Sequence, residues 1–127
     1  MIYTHRFNGI ELKTGDVICT KDGIAGSLYG EFWRKAGRLI PGVVDHCAIY
    51  IGPAGRCVES NPRGVMVYEM QGDRWDSLPL ATLRGFVDEL HGIAYPLVGR
   101  DLPPEEERRI RERVATYCLQ QAEQKKR

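Results

Sequence analysis

The sequence lacks an excess of charge of either sign. Its 127 residues carry 18 Lys and Arg against 17 Asp and Glu, a formal net charge of +1. This balance gives no overall electrostatic case for nucleic acid or an anionic membrane, and nucleic acid is not a predicted partner. The 43% hydrophobic content is typical of a soluble globular protein, and the length suits a single domain over residues 1–127.

Long apolar runs are also missing. No window approaches the ~18 to 20 apolar residues that a helix needs to cross a bilayer. Residues 1–8 lack the apolar core of a secretory signal. The sequence therefore predicts no transmembrane segment, and a cytoplasmic location is expected. Nothing in composition or spacing predicts the oligomeric state.

The sequence has no Cys-x-x-Cys pair. Its four cysteines are Cys19, Cys47, Cys57 and Cys118. This spacing gives little support to a disulfide framework or a zinc ribbon, so reduced thiols are expected. Cys47 and Cys57 fall on consecutive strands near His46 and Glu59, which could indicate a metal site. Zinc needs ligands that converge on one point, however, and strand alternation turns Cys47 away from the His46 ring. No metal or other cofactor is predicted.

Residues 45–52 alternate as a β-strand, with His46, Ala48 and Tyr50 on one face and Cys47 on the other. Residues 56–60 alternate in the same way after a short Gly-Pro-Ala-Gly turn, which is typical of an antiparallel hairpin. This register would place Glu59 near His46. A carboxylate there can fix the imidazole tautomer and stabilise its protonated form, as a general base requires. The alternative is that His46 caps a strand end and that Glu59 is solvated.

Other strands are predicted at residues 17–20 and 65–70, with a further edge strand at 92–98. A short helix or crossover is predicted at 80–87, and residues 1–11 are interpreted as a short strand or arm. Residues 27–36 could form a helix in which Phe32 and Trp33 line a substrate cleft together with Tyr50. Phe32 and Trp33 could equally cover one end of the sheet.

Four blocks of sequence follow one another in a distinctive order: residues 12–18 (LKTGDVI), 45–52 (DHCAIYIG), 58–60 (VES) and 64–67 (GVMV). Together they resemble the NlpC-type, papain-like cysteine peptidase superfamily. The resemblance covers about residues 10–70. It implies a thiol hydrolase or acyltransferase that acts on amide or ester bonds, with cell-wall peptides or lipid acyl groups as substrates.

No cysteine, and no room for a helix, precedes Leu12. The chain is therefore similar to the circularly permuted branch, which includes YiiX-like proteins and the lecithin:retinol acyltransferases. This resemblance implies an α+β fold with an antiparallel sheet packed against helices. It also implies that His46 is the base and that Glu59 orients it, with the catalytic cysteine on a helix later in the chain.

The final helix is predicted at residues 103–127 and begins with prolines and acids. Its predicted buried stripe consists of Ile110, Val114, Cys118 and Ala122. Glu107 and Arg111 are predicted to pair on its exposed side. Cys118 lies about four turns into the helix, where core packing suits it better than catalysis. No cysteine helix follows before Arg127, so the site is expected to be incomplete here. The alternatives are a non-catalytic binding module that retains the cleft, and a site completed by another polypeptide or a downstream segment.

Overall fold

An antiparallel sheet of five strands organises the structure, a computed structural model that describes residues 1–22 and 45–124. Its strands are β3 (Val17–Asp22), β4 (His46–Tyr50), β5 (Arg56–Asn61), β6 (Gly64–Glu69) and β7 (Asp88–Ala94). Their order across the sheet is β6-β5-β4-β3-β7. A short 3-10 helix (Leu78–Leu80) and helix α1 (Ala81–Arg84) precede β7, and helix α2 (Pro104–Gln124) follows it. The expected α+β class with an antiparallel sheet is therefore confirmed.

A separate hairpin of β1 (Thr4–Phe7) and β2 (Ile10–Lys13) lies at the start of the chain. Its turn is Asn8-Gly9, and both residues have positive φ, 53° and 81°. This is the pattern of the tight turns that match the twist of an antiparallel hairpin. The hairpin packs Phe7 and Leu12 onto the main core. A single strand or arm, as predicted for residues 1–11, is therefore incomplete as a description.

The two faces of the sheet have different covers. On one face, the core consists of Phe7, Leu12, Ile18, Ala48, Tyr50, Cys57, Tyr68, Met70 and Trp75. On the other face, Ile51 and Val58 pack against Cys118 of α2. This helix contacts β5 and β6. The alternation of residues along β4 and β5 therefore decides which side chains share a face with His46.

Helix α2 begins one residue later than predicted. Of its predicted buried stripe, Cys118 and Ala122 are buried, while Ile110 and Val114 are only half-buried. The prediction that Glu107 and Arg111 pair on the exposed side of this helix is wrong about exposure. The two do form an ion pair at 3.0 Å, but Arg111 is buried, at 4% exposure. Its Nη1 donates to Asp16 Oδ1 at 2.8 Å and to the Thr14 carbonyl at 2.9 Å. The Gly15-Asp16 turn therefore anchors α2 to the sheet.

Two other boundaries differ from the prediction. The edge strand is β7, at Asp88–Ala94, and it ends before Pro96, which cannot donate to a β-ladder. The ambiguous segment at 80–87 contains only the one-turn α1, which stops at Gly85 with φ 95°. Within the described ranges, no helix is both long enough and apolar enough to cross a membrane.

Candidate functional site

His46 and Glu59 meet on the face of the sheet that carries the larger core. Ile49 of β4 pairs with Val58 of β5, so the next residue of β5, Glu59, lies opposite Ala48. Ala48 and His46 share one face of β4, which makes Glu59 a diagonal neighbour of His46 on that face. The Nε2 of His46 lies 2.8 Å from Oε1 of Glu59. The proximity predicted from the hairpin is confirmed, while a catalytic role for the pair stays a prediction.

The Glu59 carboxylate is held by donors on every side. Asn61 donates to Oε2 at 2.9 Å, and the Tyr68 hydroxyl donates to Oε1 at 3.0 Å. Arg84 makes a bidentate contact, with Nε at 2.7 Å from Oε2 and Nη2 at 2.6 Å from Oε1. This geometry leaves the carboxylate little freedom to rotate, so it fixes the direction from which His46 is contacted.

Burial alone would raise the pKa of Glu59. The hydrogen bonds from His46 and Arg84, together with the Arg84 charge, outweigh that effect and lower the pKa to about 2. Burial also raises the pKa of Tyr68 well above its ordinary value, so the phenol stays protonated and donates. Glu59 is therefore an ionised acceptor throughout the neutral range.

Arg84 is the last residue of α1, and its side chain is fully buried. Besides Glu59, it contacts Asp88, with Nη1 at 2.9 Å from Oδ1 and Nη2 at 3.1 Å from Oδ2. Its guanidinium carbon lies 4.5 Å from the ring centre of Tyr68 and 4.4 Å from that of Phe86. The two carboxylates hold the pKa of Arg84 above its ordinary range despite its burial. Planar stacking and forked donation are the features in which Arg differs from Lys.

Asp88 is positioned by the segment before α1. The Trp75 indole donates to its Oδ1 at 3.1 Å. The Ser77 hydroxyl accepts from the Asp88 amide at 2.9 Å and donates to the Asp88 carbonyl at 3.0 Å. The residues of this network, Glu59, Asn61, Tyr68, Trp75, Ser77, Arg84 and Asp88, are hereafter called the Arg84 network. It satisfies buried polar groups that would otherwise be costly.

The second ring nitrogen of His46, Nδ1, lies on the side of the ring away from Glu59. Glu59 is an acceptor, so in the neutral ring the proton lies on Nε2 and Nδ1 carries the lone pair. Among residues 1–22 and 45–124, no hydrogen bond to Nδ1 is formed. The side chain is 11% exposed, and Phe86 packs edge-on at 4.8 Å between ring centres. An oriented imidazole of this kind can accept a proton from a nucleophile.

All four cysteines lie within the described residues, and no hydrogen bond joins any of their thiols to the His46 ring. Cys19 and Cys47 are paired on β3 and β4, on the opposite face of the sheet. Cys118 packs against that same opposite face. Cys57 shares the face of His46 but pairs with Tyr50, four residues along β4, or roughly 13 Å at the usual strand rise. Burial and the charge of Glu59 raise the pKa of Cys57, which keeps it a thiol.

The predicted substrate-contacting residues have different positions. Tyr50 is fully buried in the core, and its ring stacks on His5 with 6.0 Å between ring centres. Burial, with smaller contributions from Cys57 and Tyr3, raises its pKa to about 12. The structure thus places Tyr50 in the core rather than in an open cleft. Phe32 and Trp33 lie outside the described residues.

Metal binding has no support from side-chain geometry in the described part of the chain. There, no three His, Cys, Asp or Glu side chains are grouped closely enough to hold an ion. The carboxylates of Glu59 and Asp88 are already occupied by Arg84.

Sequence reasoning missed Arg84, Asp88 and Asn61. Arg84 falls in an apolar run, and the signal was the charge itself, since an arginine among Leu, Phe and Val is rarely buried without partners. Asn61 was interpreted only as part of the turn before β6.

No protein family model matches the chain, and no curated protein or solved structure is detectably similar to it. Inferences about function therefore depend on the chemistry of the site.

Proposed function

We propose that the chain is a permuted NlpC-type, papain-like domain in which His46 and Glu59 form the general-base part of a thiol-dependent acyl-transfer site. One observation carries the proposal. The Glu59 carboxylate accepts five hydrogen bonds, one of them from His46 Nε2, and this leaves Nδ1 unprotonated on the opposite side of the ring. A carboxylate fixed in this way orients the imidazole as the third member of a catalytic triad does.

The reaction is the cleavage or transfer of an acyl group held in an amide or ester. Nδ1 of His46 takes the proton of a thiol as its sulfur attacks the acyl carbon, and His46 then gives that proton to the departing amine or alcohol. Glu59 offsets the positive charge on the ring between these steps. Peptide amides and lipid acyl esters both fit this chemistry.

A non-catalytic binding module is the second candidate, favoured by the positions of the cysteines. None of the four thiols lies at Nδ1 of His46, as their positions on the opposite face or deep in the core show. The enzyme therefore requires a thiol from outside these 127 residues, either in a downstream segment or on another molecule, whereas the binding module requires none.

Adding a small thiol tests the two candidates directly. The rate of acyl transfer to N-acetylcysteamine would be measured with p-nitrophenyl acetate, p-nitrophenyl octanoate and an alanyl p-nitroanilide. We expect His46→Ala to lower the protein-dependent rate on the order of 100-fold, the lower end for a positioned general base, because the added thiol is not itself held in place. Glu59→Gln should lower it by a smaller factor.

His91→Ala is the matched control, since His91 is an exposed imidazole on β7. It should leave the rate unchanged. Equal rates for the wild type, His46→Ala and His91→Ala would refute the catalytic proposal. Saturable binding of the octanoyl ester without turnover, retained in His46→Ala, would support the binding module.

A further inference from the structure

Two thiols lie opposite each other on the face of the sheet away from His46. Cys19 on β3 and Cys47 on β4 are direct partners in the antiparallel register. Cys47 is exposed and Cys19 is half-buried. The site described above uses neither of them.

The register places the two side chains close together. The Tyr50 amide donates to the Asp16 carbonyl at 3.0 Å, which makes that pair a hydrogen-bonded one. Hydrogen-bonded and non-hydrogen-bonded pairs alternate along the ladder, so Cys19 and Cys47, three steps away, form a non-hydrogen-bonded pair. The Cα atoms of such a pair are about 4.5 Å apart, within the range that a disulfide spans.

This pair differs from the other two cysteines in its access to solvent. On this face, helix α2 contacts β5 and β6, and its residue Cys118 is buried against the sheet. Cys57 is buried in the core on the opposite face. Burial raises the pKa of Cys19, and the adjacent Cys47 raises it further. Cys47 is therefore the first thiol that a solute meets, and Cys19 is a protonated thiol beside it.

We propose that Cys19 and Cys47 are a redox-modification site at which a hydroperoxide converts two thiols into an intramolecular disulfide. The Cys47 sulfur attacks the hydroperoxide, the O–O bond breaks, and an alcohol or water leaves with a proton, which gives a sulfenic acid on Cys47. The Cys19 sulfur then attacks the Cys47 sulfur, the S–O bond breaks, and water leaves. The two thiols lose two electrons and two protons in total, and the hydroperoxide is reduced.

The disulfide would join β3 to β4 one step from the pair of Thr20 and His46. Residues 23–44 lie between these strands in the sequence. The disulfide would therefore make the chain from Cys19 to Cys47 a covalent ring that includes His46. This inference does not depend on the proposed function.

Peptide mapping after peroxide treatment tests the proposal, because trypsin separates all four cysteines. They fall in peptides 14–21 (Cys19), 39–56 (Cys47), 57–63 (Cys57) and 114–125 (Cys118). The folded protein would be treated with hydrogen peroxide, blocked with N-ethylmaleimide, digested without reductant and analysed by mass spectrometry. We expect a linked pair of peptides 14–21 and 39–56, a loss of two hydrogen atoms in the intact mass, and unlinked peptides for Cys57 and Cys118.

Three variants sharpen the test. Cys19→Ser should abolish the link and leave a Cys47 sulfenic acid that dimedone traps, while Cys47→Ser should leave Cys19 reduced. Cys118→Ser, the control, should form the link as the wild type does. A link that includes Cys57 or Cys118, a Cys47–Cys47 dimer on a non-reducing gel, or Cys47 oxidised without any link to Cys19 would overturn the proposal. Complete resistance of both thiols to peroxide would overturn it as well.

Discussion

Arg84 and Arg111 are both buried, and each contacts two carboxylates in a different setting. Arg84 lies between Glu59 and Asp88, whose side chains are 0% and 1% exposed. Arg111 lies between the buried Asp16 and Glu107, and the Glu107 side chain is 34% exposed. Each cluster has one more carboxylate than arginine. At Arg111, water can solvate the surplus charge, whereas at Arg84 it is enclosed.

This difference in the solvation of the surplus charge gives His46 a role beside Glu59. Asn61 and Tyr68 donate to Glu59, but neither side chain can become positive. His46 can, and an imidazolium there would balance the enclosed charge. Arg111 is thus a structural clamp between α2 and the turn at Asp16, while the Arg84 network holds the carboxylate that contacts His46.

The largest expected effect comes from removing each arginine. Arg84→Met leaves two buried carboxylates without their cation, so we expect it to lower the free energy of unfolding by about 3–5 kcal/mol. Arg111→Met should cost less, about 2 kcal/mol, because Glu107 turns to solvent while Asp16 keeps its bond from the Lys13 amide. Urea unfolding measures both variants. Equal losses would remove the distinction between the two clusters.

Acid should destabilise the protein through Glu59. Its pKa is about 2 in the fold against 4.5 for an ordinary glutamate, so its contribution is complete above pH 4.5 and is lost as the pH falls toward 2. The shift corresponds to about 3 kcal/mol at most. Unfolding free energies measured across this pH window should fall steeply in the wild type. A Glu59→Gln variant should show a shallower slope, and an identical slope would contradict this assignment.

Neutralising one carboxylate in each cluster gives a smaller and matched comparison. Glu59→Gln should lower the free energy of unfolding by about 2 kcal/mol, because Arg84 loses a charged partner in a dry site. Glu107→Gln should cost about 0.5 kcal/mol or less, as expected for a partly solvated pair. Thermal unfolding at neutral pH distinguishes them. A larger loss of unfolding free energy in Glu107→Gln than in Glu59→Gln would contradict this difference between the two clusters.

Tyr50→Phe should have the smallest effect. Among the described residues, the buried Tyr50 hydroxyl has no hydrogen-bond partner. Removing it should change the free energy of unfolding by less than about 1 kcal/mol and leave thiol-dependent ester cleavage unchanged. A large loss of activity in a stable variant would instead support the substrate contact that the sequence predicted.

The sequence predicted the part of the site that depends on strand period. His46 and Glu59 lie on adjacent strands joined by a short turn, so alternation alone placed them on one face. β4 and β5 were predicted at 45–52 and 56–60 and lie at His46–Tyr50 and Arg56–Asn61. The packing of Cys118 on α2 was predictable for a similar reason, because a four-residue spacing marks one side of a helix.

Contacts between distant segments were not predictable in this way. Arg84 reaches Glu59 across 25 residues and Arg111 reaches Asp16 across 95, and no local period encodes either contact. The helical spacing of Glu107 and Arg111 suggested an exposed pair because it holds no information about what packs on the helix. By contrast, Asn8-Gly9 was a local signal for a hairpin that the sequence interpretation missed.

In the proposed site, Glu59 holds the proton of neutral His46 on Nε2 and leaves Nδ1 as a base. Long-range ¹H–¹⁵N correlation spectra of the histidine rings measure this directly, with His46→Ala to assign the signals and the exposed His91 as an internal reference. We expect neutral His46 to have a protonated Nε2 and an unprotonated Nδ1, and we expect Glu59→Gln to weaken this preference. A proton on Nδ1 in the wild type, or a tautomer mixture like that of His91, would contradict it.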